Sequence, residues 1–331
     1  MQILVLKDHE MKEVLSMREA IQADKDALSL YSKGEVTIPL RTNLNIPEQE
    51  GQSLYMPGYA ADASALGVKI VSVYPGNIKK GLTSVPATMV LVDTETGQVS
   101  SIMDGTYLTQ LRTGAVAGAG TDELARKDSS VFTLIGTGGQ AETQLEAVLA
   151  IRPIKQVYVS DLDMERAKEF ANKMTSLYGE KYNTVIEAAP SLEDAVRQSD
   201  VITSVTTSPV KTFEGSWVKP GTHINGVGSY TPAMAEIDAN ILKNAHKIYC
   251  DTKDALVESG DFTQAIENGL FNSDDITGEL GDLINGKTPG RESEEEITFF
   301  KTTGNAVLDI VTAQRIYEAA KKVNIGSILE F

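Results

Sequence analysis

Residues 131–141 read Val131-Phe132-Thr133-Leu134-Ile135-Gly136-Thr137-Gly138-Gly139-Gln140-Ala141. The first five are mostly apolar and predict a buried strand, and the spacing of apolar residues after Gln140 predicts a helix. Between them, Gly136 permits a tight turn, Gly138 lets the backbone approach a pyrophosphate, and the small Ala141 allows close packing of helix on strand. Amides at the start of the helix would face the anion. The stretch therefore predicts a nicotinamide dinucleotide site that uses Gly136, Thr137, Gly138, Gly139, Gln140 and Ala141.

A carboxylate follows the next predicted strand, residues 156–160. This residue is Asp161, which lies 25 positions after Gly136. At that distance a carboxylate accepts hydrogen bonds from the adenosine ribose, and its charge repels the extra phosphate of NADP. No arginine follows it directly. We therefore expect NAD, with NADP as the second choice; the alternative role for Asp161 is to cap the helix that follows.

Short apolar runs alternate with amphipathic stretches from about residue 128 onward. The predicted strands are 131–135, 156–160, 184–188, 201–205, 223–227 and 247–250, and the predicted helices between them include 140–151, 164–177 and 192–198. This alternation is typical of a parallel sheet with crossover helices. The fold class is therefore α/β, with a doubly wound Rossmann domain.

The remaining sequence predicts a second, smaller α+β domain. Residues 11–29 have helical spacing, and extended runs at 67–74, 87–92 and 99–103 predict a mostly antiparallel sheet. Residues 272–296 are rich in Gly, Asp and Glu and predict a solvated connection. The helix predicted at 306–323 has no place in the parallel sheet and should return to the first domain. We assign residues 1–125 with 305–331 to the smaller domain and 126–304 to the Rossmann domain.

Composition excludes several classes of function. The 331 residues carry a formal net charge of -16, which disfavours a nucleic-acid partner because such binding needs clustered Lys and Arg. The single cysteine, Cys250, excludes an intrachain disulfide and a thiolate metal site, and we assign no metal. Neither a signal-peptide core nor an apolar run long enough for a membrane span is present, so we expect a cytoplasmic protein with no membrane partner.

Three cations and one histidine are candidates for chemistry. Lys69 sits inside an apolar run, as an edge-protecting lysine or as a cavity lysine that holds a substrate carboxylate. Arg41 and Arg112 are candidate carboxylate clamps or solvated surface arginines. The small residues 113–120 predict close helix packing, although amides near Arg112 could also hold an anion. His223 lies in an apolar strand and is interpreted as a buried, hydrogen-bonded residue rather than a base.

The combined motifs resemble the ornithine cyclodeaminase and mu-crystallin family. They are Lys69, Leu111-Arg112-Thr113 at a predicted helix start, the turn at 136–141, and carboxy-terminal blocks at 278–284, 289–291 and 296–306. The resemblance implies a nicotinamide cofactor and a homodimer joined through the first, substrate-binding domain. It implies that Arg41, Lys69 and Arg112 bind the substrate carboxylate. To the pocket we assign Ser84, Tyr230 and Met56, and to the cofactor site we add Thr206, Thr207, Val227 and Lys301.

Two departures from the family pattern favour one activity within it. Tyr230 stands where ornithine cyclodeaminases carry an aspartate assigned to cyclisation, and Leu54 corresponds roughly to a second pocket carboxylate. We therefore expect an NAD(P)H-dependent oxidoreductase that reduces small cyclic ketimines such as 1-pyrroline-2-carboxylate. The alternatives are an ornithine cyclodeaminase, an alanine dehydrogenase and a non-catalytic binding protein like mu-crystallin. Lys69, a water molecule and Tyr230 remain open as proton donors.

Overall fold

The computed structural model describes residues 1–331, which divide into two compact units. Unit 1 comprises Met1–Arg112 and Asn305–Phe331, and unit 2 comprises Thr113–Gly304. The strands are β1 (Gln2–Leu6), β2 (Val36–Thr37), β3 (Thr42–Ile46), β4 (Gly51–Ala60), β5 (Ala65–Val73), β6 (Ala87–Val92), β7 (Val99–Asp104), β8 (Val131–Ile135), β9 (Gln156–Ser160), β10 (Val185–Ala188), β11 (Val201–Ser204), β12 (His223–Gly226), β13 (Lys247–Cys250), β14 (Gly278–Glu279), β15 (Thr298–Lys301) and β16 (Ser327–Glu330).

The helices differ widely in length. They are α1 (Asp8–Val14), α2 (Met17–Lys33), α3 (Gly105–Leu124), α4 (Ala141–Ile151), α5 (Met164–Met174), α6 (Glu180–Tyr182), α7 (Leu192–Gln198), α8 (Ala239–Asn244), α9 (Ala255–Glu258), α10 (Gly260–Glu267), α11 (Leu280–Ile284) and α12 (Ala306–Val323). No helix is both long enough and apolar enough to span a membrane. The division between the units falls inside α3, whereas the predicted domain boundary after residue 125 lies at the end of that helix.

Unit 2 is built on a parallel sheet with the strand order β10-β9-β8-β11-β12-β15-β13-β14. All neighbouring pairs are parallel, and the first five strands follow the order of a doubly wound dinucleotide-binding fold. The predicted Rossmann architecture is confirmed. Every residue of β11, β12 and β15 is buried, as expected for a parallel sheet covered on both faces.

Two strands of unit 2 escaped the sequence prediction. β15 lies between β12 and β13, and β14 extends the edge next to β13. The prediction that residues 272–296 form only a solvated connection is wrong, because this segment contains β14 and α11. Leu280 of α11 is fully buried, so part of the segment belongs to the core.

Unit 1 contains a mostly antiparallel sheet with the order β16-β1-β7-β6-β5-β4-β2, and β3 pairs with β4. Only the β1–β7 pair is parallel. α12 packs on α2 and on the face of the sheet formed by β4 and β5. The terminal strands β1 and β16 pair antiparallel, and the amino group of Met1 donates a 2.7 Å hydrogen bond to the carbonyl of Phe331.

The helix predicted at residues 11–29 is in fact two helices. Leu15 is extended between α1 and α2, and Ser16 caps α2. The Ser16 amide donates to the Glu19 carboxylate at 2.8 Å, which completes a capping box. The spacing of Ser16 and Glu19 is a helix-start signal in the sequence, and it overrides the continuous apolar periodicity.

The small residues of α3 allow close packing within unit 2. A Cβ atom on Gly114 would lie 2.5 Å from the carbonyl oxygen of Thr143, and one on Gly120 would lie 2.6 Å from the Phe300 ring. Close packing therefore explains why residues 113–120 are small. α3 begins at Gly105, so Arg112 lies mid-helix, and the alternative of an anion held by helix-start amides near Arg112 is wrong.

The Gly114→Ala substitution tests this packing. The added methyl group would meet backbone rather than a flexible side chain, so we expect a loss of about 1–3 kcal/mol in the free energy of unfolding. Urea denaturation measures it. Gly76→Ala is the control because a Cβ there meets no atom within 4 Å; equal losses in both variants would contradict the packing argument.

Candidate active site

The turn between β8 and α4 has the geometry that its glycines predict. Gly136 adopts φ +101, and a Cβ there would lie 2.8 Å from the carbonyl oxygen of Val205, so only glycine fits. Its amide donates to the Ser160 carbonyl at 2.8 Å. Ala141 is fully buried at the start of α4, which brings helix and strand close together.

Asp161 holds this turn from the end of β9. Its carboxylate accepts from the amide of Thr137 at 3.0 Å and from the Thr137 hydroxyl at 2.5 Å. Burial raises the pKa of Asp161, but the hydrogen bonds from Thr137 and from the Asp163 amide outweigh it and hold that pKa below its ordinary value. Asp161 is therefore an anion. Its alternative role as the cap of α5 is wrong, because Asp163 supplies that cap.

The turn has the room and the unused polar groups that a dinucleotide needs. A Cβ atom on Gly138 would meet nothing within 4 Å, so the backbone there borders open space. The side-chain oxygen of Gln140 is buried and has no hydrogen-bond partner. Gly138 and Gly139 are exposed, as a phosphate cradle requires. The residues present therefore fit a nicotinamide dinucleotide.

Three other predicted cofactor residues, and Tyr230 of the predicted substrate pocket, follow the ends of neighbouring strands. Thr206 and Thr207 follow β11, and Val227 and Tyr230 follow β12. These are carboxyl ends of parallel strands, the edge at which this fold binds nucleotides. Thr207 and Tyr230 are exposed, Thr206 is half-buried and Val227 is buried.

Another predicted cofactor residue, Lys301, lies in a buried ion pair. Lys301 is fully buried, and its ammonium lies 2.9 Å from the carboxylate of Asp261, which is also fully buried. Lys301 is thus engaged inside unit 2, and its direct contact with the cofactor stays a prediction. Its charge balances that of Asp261 inside unit 2.

His223 agrees with its interpretation as a structural residue. It is fully buried, and its two ring nitrogens lie 2.9 Å from the Thr298 hydroxyl and 3.0 Å from the Asn225 amide oxygen. Burial lowers its pKa to about 3. The ring is therefore neutral and engaged at neutral pH.

In unit 1, Lys69 lies on an interior strand, so the edge-protecting interpretation is wrong. β5 pairs with β4 on one side and with β6 on the other. Alternate residues of β5 are buried, and Lys69 belongs to that buried set with an exposed fraction of 1%. Its ammonium contacts Asp309 of α12, with 2.7 Å between Nζ and the carboxylate.

Arg112 meets the same carboxylate. Its Nε lies 2.9 Å from Oδ1 of Asp309, which is itself fully buried. Asp309 stands in the first turn of α12, where the helix dipole also stabilises an anion. Two of the three predicted catalytic cations therefore converge on one carboxylate.

Burial lowers the pKa of Lys69 to about 8. The Asp309 charge opposes that effect, while Arg112 and Arg41 reinforce it. Desolvation disfavours an ammonium, and neighbouring cations disfavour it further. Lys69 is therefore mostly charged at neutral pH but poised to release its proton.

A second buried carboxyl group lies behind this cluster. Asp24 of α2 accepts a 2.8 Å hydrogen bond from the Thr312 hydroxyl, and its other oxygen has no hydrogen-bond partner. Burial raises the pKa of Asp24 well above its ordinary value, and the Asp309 charge adds to the rise. Asp24 therefore adds a second buried carboxyl group to unit 1, hydrogen-bonded to the helix that carries Asp309.

The other predicted residues of unit 1 surround this cluster to different degrees. Met56 of β4 is paired with Lys69 across the sheet and is buried. Arg41 is half-buried and lies close enough to Lys69 to affect its pKa. Ser84 precedes β6, is half-buried, and accepts a backbone hydrogen bond from Tyr74.

Asp309 and Glu236 are the residues that sequence reasoning missed. Each is a fully buried carboxylate flanked by apolar residues in the sequence. Asp309 interrupts the run Val307-Leu308-Asp309-Ile310-Val311 on a helix that packs inward. An acid at the centre of an apolar helical face requires a buried partner, and that is the signal by which it could have been found.

The profile of the Ornithine cyclodeaminase/mu-crystallin family matches residues 1–324. The chain belongs to this family. The Delta(1)-pyrroline-2-carboxylate reductase of Bacillus cereus is 36% identical over 330 residues, which are 99% of this chain and 100% of that relative. The resemblance inferred from the sequence motifs is confirmed.

Two solved structures of the family match along nearly the whole chain. The Delta(1)-pyrroline-2-carboxylate reductase of Thermococcus litoralis, in complex with NADH and L-proline, has a TM-score of 0.92 and 38% identity, covering 98% of this chain and 99% of that one. An archaeal alanine dehydrogenase dimer with bound NAD has a TM-score of 0.90 and 37% identity, covering 100% of both chains.

In this ornithine cyclodeaminase/mu-crystallin protein, Asp309→Asn should be strongly destabilising. The change leaves two buried cations without their carboxylate, which costs about 3–5 kcal/mol. Lys69 in the folded protein would then lose its proton more readily. The pKa of Lys69 in the folded wild type, about 8, already lies below the usual 10.5. As pH rises from 7 to 10 Lys69 loses its charge in the wild type as well, so the difference in free energy of unfolding between the two proteins should shrink.

Urea unfolding of both proteins at pH 7 and pH 10 measures this effect. Asp26→Asn is the matched control. Asp26 of α2 forms an exposed ion pair with Arg315 of α12, the helix that also carries Asp309. That variant should lose no more than about 1 kcal/mol. A deficit in Asp309→Asn that is small, or that does not depend on pH, would contradict the assigned role of Asp309.

Proposed function

We propose that this protein is an NAD(P)H-dependent reductase of small cyclic ketimines such as 1-pyrroline-2-carboxylate. The observation that carries the proposal is the pair of buried cations, Lys69 and Arg112, that share the single carboxylate of Asp309. The intact dinucleotide turn of unit 2 supports the cofactor. Relatives from Bacillus cereus and Thermococcus litoralis carry the name of this activity.

The charge balance of the cluster supports an anionic substrate. Lys69 and Arg112 contribute two positive charges, and the Asp309 carboxylate that both contact contributes one negative charge. A substrate carboxylate would supply the missing negative charge. Hydrogen bonds to ionised groups are among the strongest in proteins, so the carboxylate would also fix the orientation of the imine.

Lys69 is the proposed proton donor. When bound, NADH supplies the hydride that reduces the imine carbon. The ring nitrogen then needs a proton, and an ammonium with a pKa of about 8 can give one near neutral pH. Asp309 would hold the Lys69 amine in place after the transfer. Tyr230, which is 40% exposed in the loop after β12, is the alternative donor.

Alanine dehydrogenase is the second candidate, and it is favoured by the 37% identity to the archaeal enzyme. The same carboxylate clamp would serve its substrate. Ornithine cyclodeaminase is less well supported, because Leu54 and Tyr230 cannot accept the distal ammonium of ornithine as a carboxylate does. A binding protein without turnover would retain the dinucleotide fold while reducing nothing.

Initial rates of NADH consumption, followed at 340 nm, test these activities. We expect the highest rate with 1-pyrroline-2-carboxylate, a lower rate with pyruvate and ammonia, and no ammonia release from ornithine. Above about pH 8 the rate at low imine concentration should fall, by about tenfold per pH unit in the limit, because Lys69 loses its proton.

Lys69→Ala should reduce turnover by at least about a hundredfold, since it removes both a carboxylate contact and the proton donor. Lys33→Ala is the control, because Lys33 is exposed at the end of α2. Faster turnover of pyruvate with ammonia would favour the alanine enzyme. Inactivity with every imino and keto acid, despite bound NADH, would overturn the enzyme proposal.

We propose NADH as the preferred cofactor. Asp161 is an anion at the end of β9, held by Thr137. Asp161→Asn removes the charge that would repel the 2′-phosphate of NADPH. The ratio of kcat/KM for NADH to that for NADPH should fall by about tenfold or more, and an unchanged ratio would contradict this role. Asp163→Asn, two residues on at the cap of α5, is the control.

A homodimer joined through unit 1 is also proposed. Several apolar side chains of unit 1 are exposed near β3 and in the turn before β6: Leu40, Leu44, Ile78 and Leu82. Exposed apolar side chains are a feature of protein interfaces, and the archaeal relative is described as a dimer. We further propose a cytoplasmic location, which suits the unpaired, buried thiol of Cys250.

A further inference from the structure

Glu236 binds two loops of unit 2 at once. Its Oε2 accepts hydrogen bonds from the Thr206 amide at 2.7 Å, from the Thr206 hydroxyl at 2.9 Å and from the Ser204 hydroxyl at 2.8 Å. Its Oε1 accepts from the amides of Gly228 and Ser229. The side chain is fully buried, so these donors replace water completely.

A second layer holds Glu236 from behind. Oδ1 of Asp261 accepts from the Glu236 amide at 2.8 Å and from the Ile237 amide at 3.0 Å. Its Oδ2 lies 2.9 Å from the Lys301 ammonium. Burial and the Asp261 charge raise the pKa of Glu236, and Lys301 opposes the rise. Lys301 therefore acts on the loops through this network.

The two loops that Glu236 joins are packed without spare room. A Cβ atom on Gly228 would lie 2.0 Å from the carbonyl oxygen of Thr206. On the other side of Thr206, a Cβ on Gly136 would lie 2.9 Å from its methyl group. The Thr206 segment is thus held between the glycine turn and the loop after β12. Its position fixes the middle of the carboxyl edge of the sheet.

We propose that Glu236 is a positioning residue for the dinucleotide. It holds the Thr206 segment and the Gly228 loop in their binding geometry before the cofactor arrives, so that binding does not have to order them. It touches neither cofactor nor substrate. The inference rests on the proposed use of NADH, because it assumes that this edge of the sheet is the cofactor site.

The same sheet offers a matched comparison at its opposite edge. Asp200, 5% exposed, accepts from the amides of Ser130 and Val131 at 2.8 and 3.0 Å, and Lys219 lies 2.8 Å from it. It is also a buried carboxylate that braces backbone amides and pairs with a lysine. Asp200 lies at the amino ends of the strands, away from the proposed cofactor site. If Glu236 were purely structural, its substitution should affect NADH binding as little as substitution of Asp200 does.

The experiment compares Glu236→Gln with Asp200→Asn in the full-length protein. Glutamine keeps the shape of the side chain but turns an NH₂ group toward one set of amide donors. The dissociation constant of NADH, from fluorescence titration without substrate, should rise about tenfold or more in Glu236→Gln. It should change less than about twofold in Asp200→Asn, even where the two variants lose similar stability to urea.

Kinetics provide a second readout. In Glu236→Gln the KM for NADH should rise, while the KM for the imine and kcat at saturating NADH should stay within about threefold of wild type. Should Glu236→Gln fail to fold, Ser204→Ala removes one donor to the same carboxylate from a buried residue that is assigned to neither cofactor nor substrate, and a smaller rise in the NADH dissociation constant is expected.

Two results would overturn the inference. One is a folded Glu236→Gln, or in its place Ser204→Ala, that binds NADH like wild type. The other is an equal loss of NADH affinity in Asp200→Asn, which would make the effect one of general stability. Wild-type protein that bound no dinucleotide would overturn this inference together with the proposed function, whereas wild-type binding with unchanged variants would overturn this inference alone.

Discussion

The carboxylate of Asp309 balances the charge of two buried cations in unit 1. Lys69 and Arg112 are both buried, and an ammonium or guanidinium without a counter-charge would cost several kcal/mol there. Asp309 supplies that charge from the first turn of α12. The position of α12 against β4 and β5 is therefore an electrostatic requirement as well as a matter of apolar packing. Burial lowers the pKa of Lys69, on which the proposed chemistry depends, and the charge of Asp309 limits that fall.

Much of the fold was predictable because its signals are local. Six strands of unit 2 are short apolar runs, and the residues between these runs are typical of turns and helices. β15 was missed because its four residues follow the charged segment 291–296 and because it enters the sheet out of sequence order, between β12 and β13. The break between α1 and α2 was missed because the apolar spacing continues across it, although Ser16 and Glu19 mark it.

The candidate site was predictable to the extent that its residues are contiguous. The turn at 136–141 carries its geometry in consecutive residues, and the structure supplies the partners that those residues need. The ion pair of Lys69 joins residues 240 positions apart, and no local pattern specifies it. Lys301 is a similar case, because the sequence gives no local sign of its ion pair with Asp261, 40 residues earlier in the chain.

The order of the units along the chain has a consequence for synthesis. Unit 2 is one continuous stretch, so all of its residues are available as soon as it has left the ribosome. Unit 1 is not, because Asp309 and β16 belong to the last part of the chain, and Asp309 follows Arg112 by 197 residues. At about 5–20 residues per second, Lys69 and Arg112 wait roughly 10–40 s for their counter-ion. During that interval the nascent chain contains every residue of unit 2, whereas unit 1 still lacks the carboxylate that its two buried cations require.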